Sequence, residues 1–199
     1  MVDKREILEL LAEYFFFEPN DAVKFDIGPE GLVNVLELTP GRGHLRTIKD
    51  KPFPGGQLPV RFGLFKASLK LDRNQIVDLV GCPPVIQGNF VALGNQLKNF
   101  KGGPKEVTGR FWLGMQKNLL ESLDGFPDRV GDYAKLPYHD KLPLLRTLAC
   151  QDGVILSSSS FNTNPIEEII EKYKGQGKRA LFECQKDLED AGFEGNARW

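Results

Sequence analysis

The chain has 199 residues, of which 41% are hydrophobic and 27% charged, with a formal net charge of −1. That composition excludes wholesale disorder and leaves enough apolar mass for one sizeable core or two small ones. No basic stripe marks a nucleic-acid binder, and no apolar run approaches the roughly 18 residues that a membrane helix needs.

Residues 3–17 are expected to form a helix. Ile7, Leu10, Leu11, Tyr14 and Phe15 recur at three- and four-residue spacing, and Pro19 marks the end. The run Phe15-Phe16-Phe17 is too apolar to stand free in solvent, so this helix should cover the end of the next unit. Phe25 and Ile27, then Leu32 to Leu36, flank Gly28-Pro29-Glu30-Gly31 as two strands around a turn. Residues 39–57, rich in Gly and Pro with Arg42, His44, Arg46, Lys49 and Lys51, read as a solvated loop that could also meet a phosphate or an acidic partner.

The middle of the chain repeats. Leu69 aligns with Phe90, Asn74 with Asn95, Ile76 with Leu97, Leu79 with Phe100, Pro83 with Pro104, Ile86 with Val107, Gly88 with Gly109 and Phe90 with Phe111, each step being 21 residues. A third copy carries a two-residue insertion and uses Asn118, Leu120, Leu123, Gly125, Pro127, Val130 and Tyr133. The segment LPVRFGLFKASL supplies the second half of an earlier copy. A period of 21 falls within the leucine-rich-repeat range of about 20–29 residues.

The chemistry of such a repeat follows from its residues. The L-x-L piece is a short strand with alternate side chains inward. The Asn that follows can bond backbone groups left free at a corner, and stacked copies can form a ladder. Pro and Gly in the second half turn the chain back. One repeat cannot bury its apolar side alone, so stacking is what creates the core.

Beyond Tyr133 the pattern fades. Val154-Ile155-Leu156 can form one more strand. Ser157 to Ser160 with Asn162 and Asn164 read as a polar linker. Asn164 then caps a helix opened by Pro165, with Ile166, Ile169, Ile170 and Tyr173 on its apolar face. Gly175-Gln176-Gly177 breaks it, and a second helix over residues 178–190 carries Leu181, Cys184 and Leu188 and ends at Gly192.

The repeat of Asn, Leu, Gly, Pro, Val and Phe resembles leucine-rich-repeat-like proteins encoded by tailed bacteriophages, over residues 58–133 closely and over roughly the last 35 loosely. The opening LPVRFG and the closing GFEGNARW are similar to the same group. The resemblance implies a phage origin and a binding scaffold, and it carries no catalytic residues to transfer. The third-repeat insertion and Leu93-Gly94 depart from the pattern without threatening the fold.

The expected architecture is therefore α+β: a short leucine-rich-repeat-like solenoid over 58–148, a helix-and-hairpin cap over 1–57, and a linker with a helical hairpin over 149–199. No catalytic motif stands out. Gly175-Gln176-Gly177-Lys178-Arg179 lacks phosphate-loop spacing, and no GxSxG is present. His139 beside Asp140 is a weak pairing, and the acid pairs Glu167-Glu168 and Glu189-Asp190 fit solvated helix faces. Cys82, Cys150 and Cys184 have no CxxC spacing and read as packing residues, so neither disulfide, metal site nor cofactor is expected. From the charged opening, without a cleavage pattern, a cytoplasmic location is expected, that of a bacterial host if the resemblance holds, with association with the virion as the alternative.

If Leu69, Phe90 and Phe111 point inward, then Lys70, Val91 and Trp112 point outward, one per repeat, with Asp72, Leu93 and Gly114 next and Arg73 and Met115 nearby. Val91, Leu93 and Trp112 would form an exposed apolar ladder of the kind that marks interfaces, unless a terminal segment folds over this face or the register is off by one. Tyr138, just past the last repeat, and the terminal Arg198-Trp199 are further candidates. Two functions fit equally: an effector or inhibitor that binds a host protein, and a virion or assembly protein whose repeats contact other copies. Binding of a small ligand or nucleotide in an end pocket is a third. Membrane and nucleic acid are not expected partners, and self-association at a solenoid edge is open.

Overall fold

In the computed structural model the described residues are 3–16, 24–28, 30–37, 43–114, 120–157 and 164–199. They form a β-solenoid of about five turns.

Each turn contributes a strand to one or both of two sheets. The larger sheet contains β1 (Phe15–Phe16), β4 (His44–Thr47), β6 (Ser68–Asp72), β8 (Phe90–Leu93), β10 (Phe111–Gly114), β12 (Ala134–Pro137) and β13 (Val154–Ser157), in that order. The smaller contains β11 (Arg129–Val130), β9 (Glu106–Val107), β7 (Val85–Ile86), β5 (Phe62–Phe65), β3 (Val33–Glu37) and β2 (Lys24–Ile27). Within each sheet all pairings are parallel except β1 with β4 and β2 with β3.

The repeat sets the register. Leu69 pairs with Phe90 and Phe90 with Phe111, so residues 21 apart stand side by side. Leu69, Phe90, Phe111, Ile76, Leu97, Leu79, Phe100, Ile86 and Val107 are all fully buried. The rings of Phe90 and Phe111 stack at 5.0 Å, and Phe100 and Phe126 meet Phe111 edge-on. A further column consists of Gly81, Gly102 and Gly125, each with φ between 80° and 94° or just below. A Cβ on Gly102 would stand 2.8 Å from the Val80 nitrogen of the preceding turn, which is why this corner takes glycine.

Five sequence-based expectations need correction. The helix expected over residues 3–17 ends at Tyr14, where the backbone turns extended and Phe15–Phe16 form β1, antiparallel to β4. Residues 44–47, read within a loop, form β4, parallel to β6. Its alternation is carried by only two inward side chains, Leu45 and Thr47, too short a signal to stand out. The second half of each repeat holds a short strand, of four residues in β5 and two in β7, β9 and β11, so the Pro–Val–Gly stretch builds a second sheet rather than only a return. Phe111 pairs with Ala134, not Tyr133. Ala134 is fully buried, while Tyr133 turns outward beneath the Arg110 guanidinium, 5.1 Å from its ring centre. The last correction concerns the C-terminal hairpin, whose second helix begins later than expected, as a 3₁₀ turn over Gly177–Ala180 that runs into α3 (Leu181–Asp190). The expected Asn118 lies outside the described residues.

The ends are covered as the apolar faces require. α1 (Lys4–Tyr14) is capped by the Asp3 carboxylate, which accepts the Arg5 N–H, and buries Ile7, Leu11 and Tyr14. At the other end α2 (Pro165–Glu171) is capped by Asn164 and buries Ile166 and Ile170, while α3 buries Cys184 and Leu188. The three thiols are free and buried, and burial raises each thiol pKa, to about 12 for Cys150 and about 11 for Cys184. Among the described residues no helix is long and apolar enough to cross a membrane.

Candidate functional site

The outward face of the larger sheet follows from the inward one. With Leu69, Phe90, Phe111, Ala134 and Val154 inside, the next position on each strand faces out. The pairings give one continuous row across seven strands: Phe16, Arg46, Lys70, Val91, Trp112, Lys135 and Ile155. Neighbouring members sit one strand apart, about 4.8 Å.

The row combines apolar surface with positive charge. Trp112 is 38% exposed, Phe16 42% and Ile155 40%. The Arg46 guanidinium lies 4.2 Å from the centre of the Phe16 ring, and the Lys135 ammonium 5.2 Å from that of Trp112. Such cation–π contacts hold flexible side chains over rigid rings. Arg46, Lys70 and Lys135 supply three cations, and the row itself contains no carboxylate.

Asp72, Leu93 and Gly114 form the next row, as their pairings require. Asp72 is half-buried, its backbone N–H donates to the Thr47 hydroxyl at 3.1 Å, and its Oδ1 is buried without a hydrogen-bond partner. Desolvation pushes its carboxyl pKa up, opposed by the charge of Lys70, a hydrogen bond from the Leu93 backbone, and the charges of Lys49 and Arg46. This acid is thus half-buried, with the charges of Lys70, Lys49 and Arg46 acting on it.

Arg73 and Tyr138 take the corner position that follows these rows. Arg73 adopts φ 56°, its aliphatic stem covers Gly94 of the next turn, and its guanidinium stands 3.7 Å from Asp50. Tyr138 is half-buried against the core, and its hydroxyl pKa is raised by burial and by Asp140. Neither projects from the centre of the row. Met115 lies outside the described residues.

Val91 departs from the exposed ladder expected of it. It points outward but is only 9% exposed. Its in-register neighbours are Lys70 and Trp112, and two long side chains one strand away cover a short one between them. The exposed apolar surface therefore centres on Trp112, with half-buried Leu93 beside it.

The opposite face provides a contrast. In the smaller sheet the outward row runs Leu64, Val85, Glu106 and Arg129. Arg129 donates to Glu106 at 3.2 Å, so this face neutralises its own charge. Three residues missed at the sequence level, Phe16, Lys135 and Ile155, belong to this row; only strand pairing reveals them, because the first lies outside the repeat and the other two follow the insertion.

His139 has a structural place. It stands five residues after Ala134, as Asn74 does after Leu69 and Asn95 after Phe90. Its Nε2 lies 2.6 Å from the Leu120 carbonyl oxygen of the preceding turn, and its Nδ1 accepts the Lys141 N–H at 3.3 Å. A ring here performs the corner task that an amide performs elsewhere.

Comparison of the chain with known protein families, with curated proteins and with solved structures finds no match.

Proposed function

We propose that the protein is a non-enzymatic, leucine-rich-repeat-like binding module that docks another protein on the outward face of its larger sheet. The observation that carries this reading is the exposed Trp112 set in a row of three cations without an in-row acid. An aromatic anchor surrounded by polar groups is the usual make-up of an interface hot spot. A partner that fits would place an apolar side chain against Trp112 and carboxylates against Arg46, Lys70 and Lys135.

The resemblance to phage-encoded repeat proteins supports a phage effector or inhibitor acting on a protein of the bacterial host, in the host cytoplasm. Packaging in the virion is the competing assignment, and mass spectrometry of purified particles separates the two.

The test is capture from host lysate by wild-type protein and by Trp112→Ala, after both are shown to fold. One host protein retained by the wild type and lost with the variant is the expected result, and raising salt should weaken its capture. Equal capture by both proteins overturns the assignment of this face.

A further inference from the structure

The C-terminal segment folds against the last turns of the solenoid and leaves a cavity of about 330 Å³ between them. Its apolar wall is made by Phe126, Pro127 and Ala149. Phe126 is 4% exposed and packed edge-on against Phe100 and Phe111, so that wall is an extension of the solenoid core. The volume lies at the lower end of the range of about 300–1,000 Å³ in which small-molecule sites fall.

The other wall carries charge. Arg146, from the 3₁₀ turn over Leu145–Ala149, places its guanidinium 5.2 Å from the centre of the Trp199 ring. Lys178, from the turn that precedes α3, places its ammonium 5.7 Å from the same ring. Two cations thus converge on one aromatic surface beside an apolar cavity. Arg146 is only loosely balanced, by Asp124 at 3.7 Å, beyond the 2.7–2.9 Å of a charge-assisted hydrogen bond. Among the described residues Lys178 has no carboxylate within ion-pair distance. A Cβ at Gly177 would meet nothing within 4 Å, so the backbone there borders open space.

We propose that this cavity binds a small aromatic anion. The ring lies against Phe126, Ala149 and the Trp199 indole, and the anionic group sits between Arg146 and Lys178. Asp128 also lines the cavity, and together with Asp124 it offsets part of the positive charge. The site therefore suits one negative charge at a ring edge better than a polyphosphate. This inference is independent of the docking face on the larger sheet.

The test is heteronuclear NMR of the two tryptophan indole N–H groups, assigned with Trp112→Phe, during titration with naphthoate, with AMP and with the neutral naphthylmethanol. Naphthoate is expected to shift the Trp199 resonance saturably with a midpoint below about 1 mM, and naphthylmethanol to bind at least about tenfold more weakly. Binding of AMP as tight as naphthoate identifies a phosphate-bearing ring as the ligand type; binding of naphthoate alone identifies a carboxylate. Lys178→Gln, at an exposed position, and the double variant Arg146→Gln/Lys178→Gln should each weaken binding while the Trp112 resonance stays in place. The proposal is overturned if neither anion shifts Trp199 saturably, or if the neutral compound or Lys178→Gln gives the same curve as naphthoate with wild type.

Discussion

Asn95 reaches back one solenoid turn and holds Asn74: its Oδ1 accepts the Asn74 N–H at 3.0 Å and the Ile76 N–H at 3.3 Å. Its amide nitrogen donates to the carbonyls of Leu71 at 2.7 Å and Leu93 at 3.3 Å. Asn74 repeats the task one turn earlier, donating to the Ile48 and Lys51 carbonyls and accepting from the Thr47 hydroxyl. Both amides are fully buried, so each bond satisfies a backbone group that water cannot reach.

Asn95→Ala removes these partners at once. The expected loss is about 3 kcal/mol, from buried donors and acceptors costing roughly 1–3 kcal/mol each when left unmade. Urea denaturation measures it. A loss under about 1 kcal/mol would mean that the corner relaxes or admits water.

The glycine corners predict a contrast between two positive-φ sites. Gly102→Ala brings a Cβ within 2.8 Å of the Val80 nitrogen and forces φ 79° on an alanine. Gly55→Ala has φ 62° but nothing within 4 Å. Gly55→Ala should cost about 1 kcal/mol, from backbone strain alone, and Gly102→Ala at least about 2 kcal/mol more. Thermal unfolding of both variants checks the difference.

Asp72 gives a pH dependence with a defined sign. Its carboxyl pKa is raised in the folded state by desolvation, so the fold favours the protonated form. The resulting penalty is present above the folded value and disappears as pH falls below the unfolded value. Asp72→Asn should therefore raise Tm at pH 7, and its advantage should shrink as pH is lowered through the carboxylate range toward about 4. A variant less stable than wild type at pH 7 would show that the attraction of Lys70, Lys49 and Arg46 outweighs desolvation.

The thiols should be inert in the native protein. Burial raises all three thiol pKa values, and the thiolate is the reactive form. Labelling with a thiol reagent at pH 8 should be slow for Cys82, Cys150 and Cys184 without denaturant and complete with it. Fast labelling of Cys82 in the native state would contradict its packed position at the corner.

Much of the solenoid was legible because its residues recur where stacking needs them. The 21-residue step, the buried Leu/Phe, Ile/Leu and Ile/Val columns and the Asn corners all came from identity at fixed spacing. Other features have no such signal. The Tyr133 register failed by one residue because a tyrosine mimics the phenylalanine column, and only burial of Ala134 fixes the phase. Asn196 is buried because its amide donates to the Leu142 carbonyl at 2.9 Å, a contact across 54 residues that no local pattern announces. The outward direction of Lys70 and Trp112 followed from period two, whereas the covering of Val91 depends on its neighbours' lengths.

Docking on Trp112 and its flanking cations can be read directly by fluorine NMR of protein carrying fluorotryptophan, with the captured partner added unlabelled. The Trp112 resonance should shift or broaden on complex formation while that of Trp199 stays unchanged. A complex that forms with the Trp112 resonance undisturbed would contradict docking on this face.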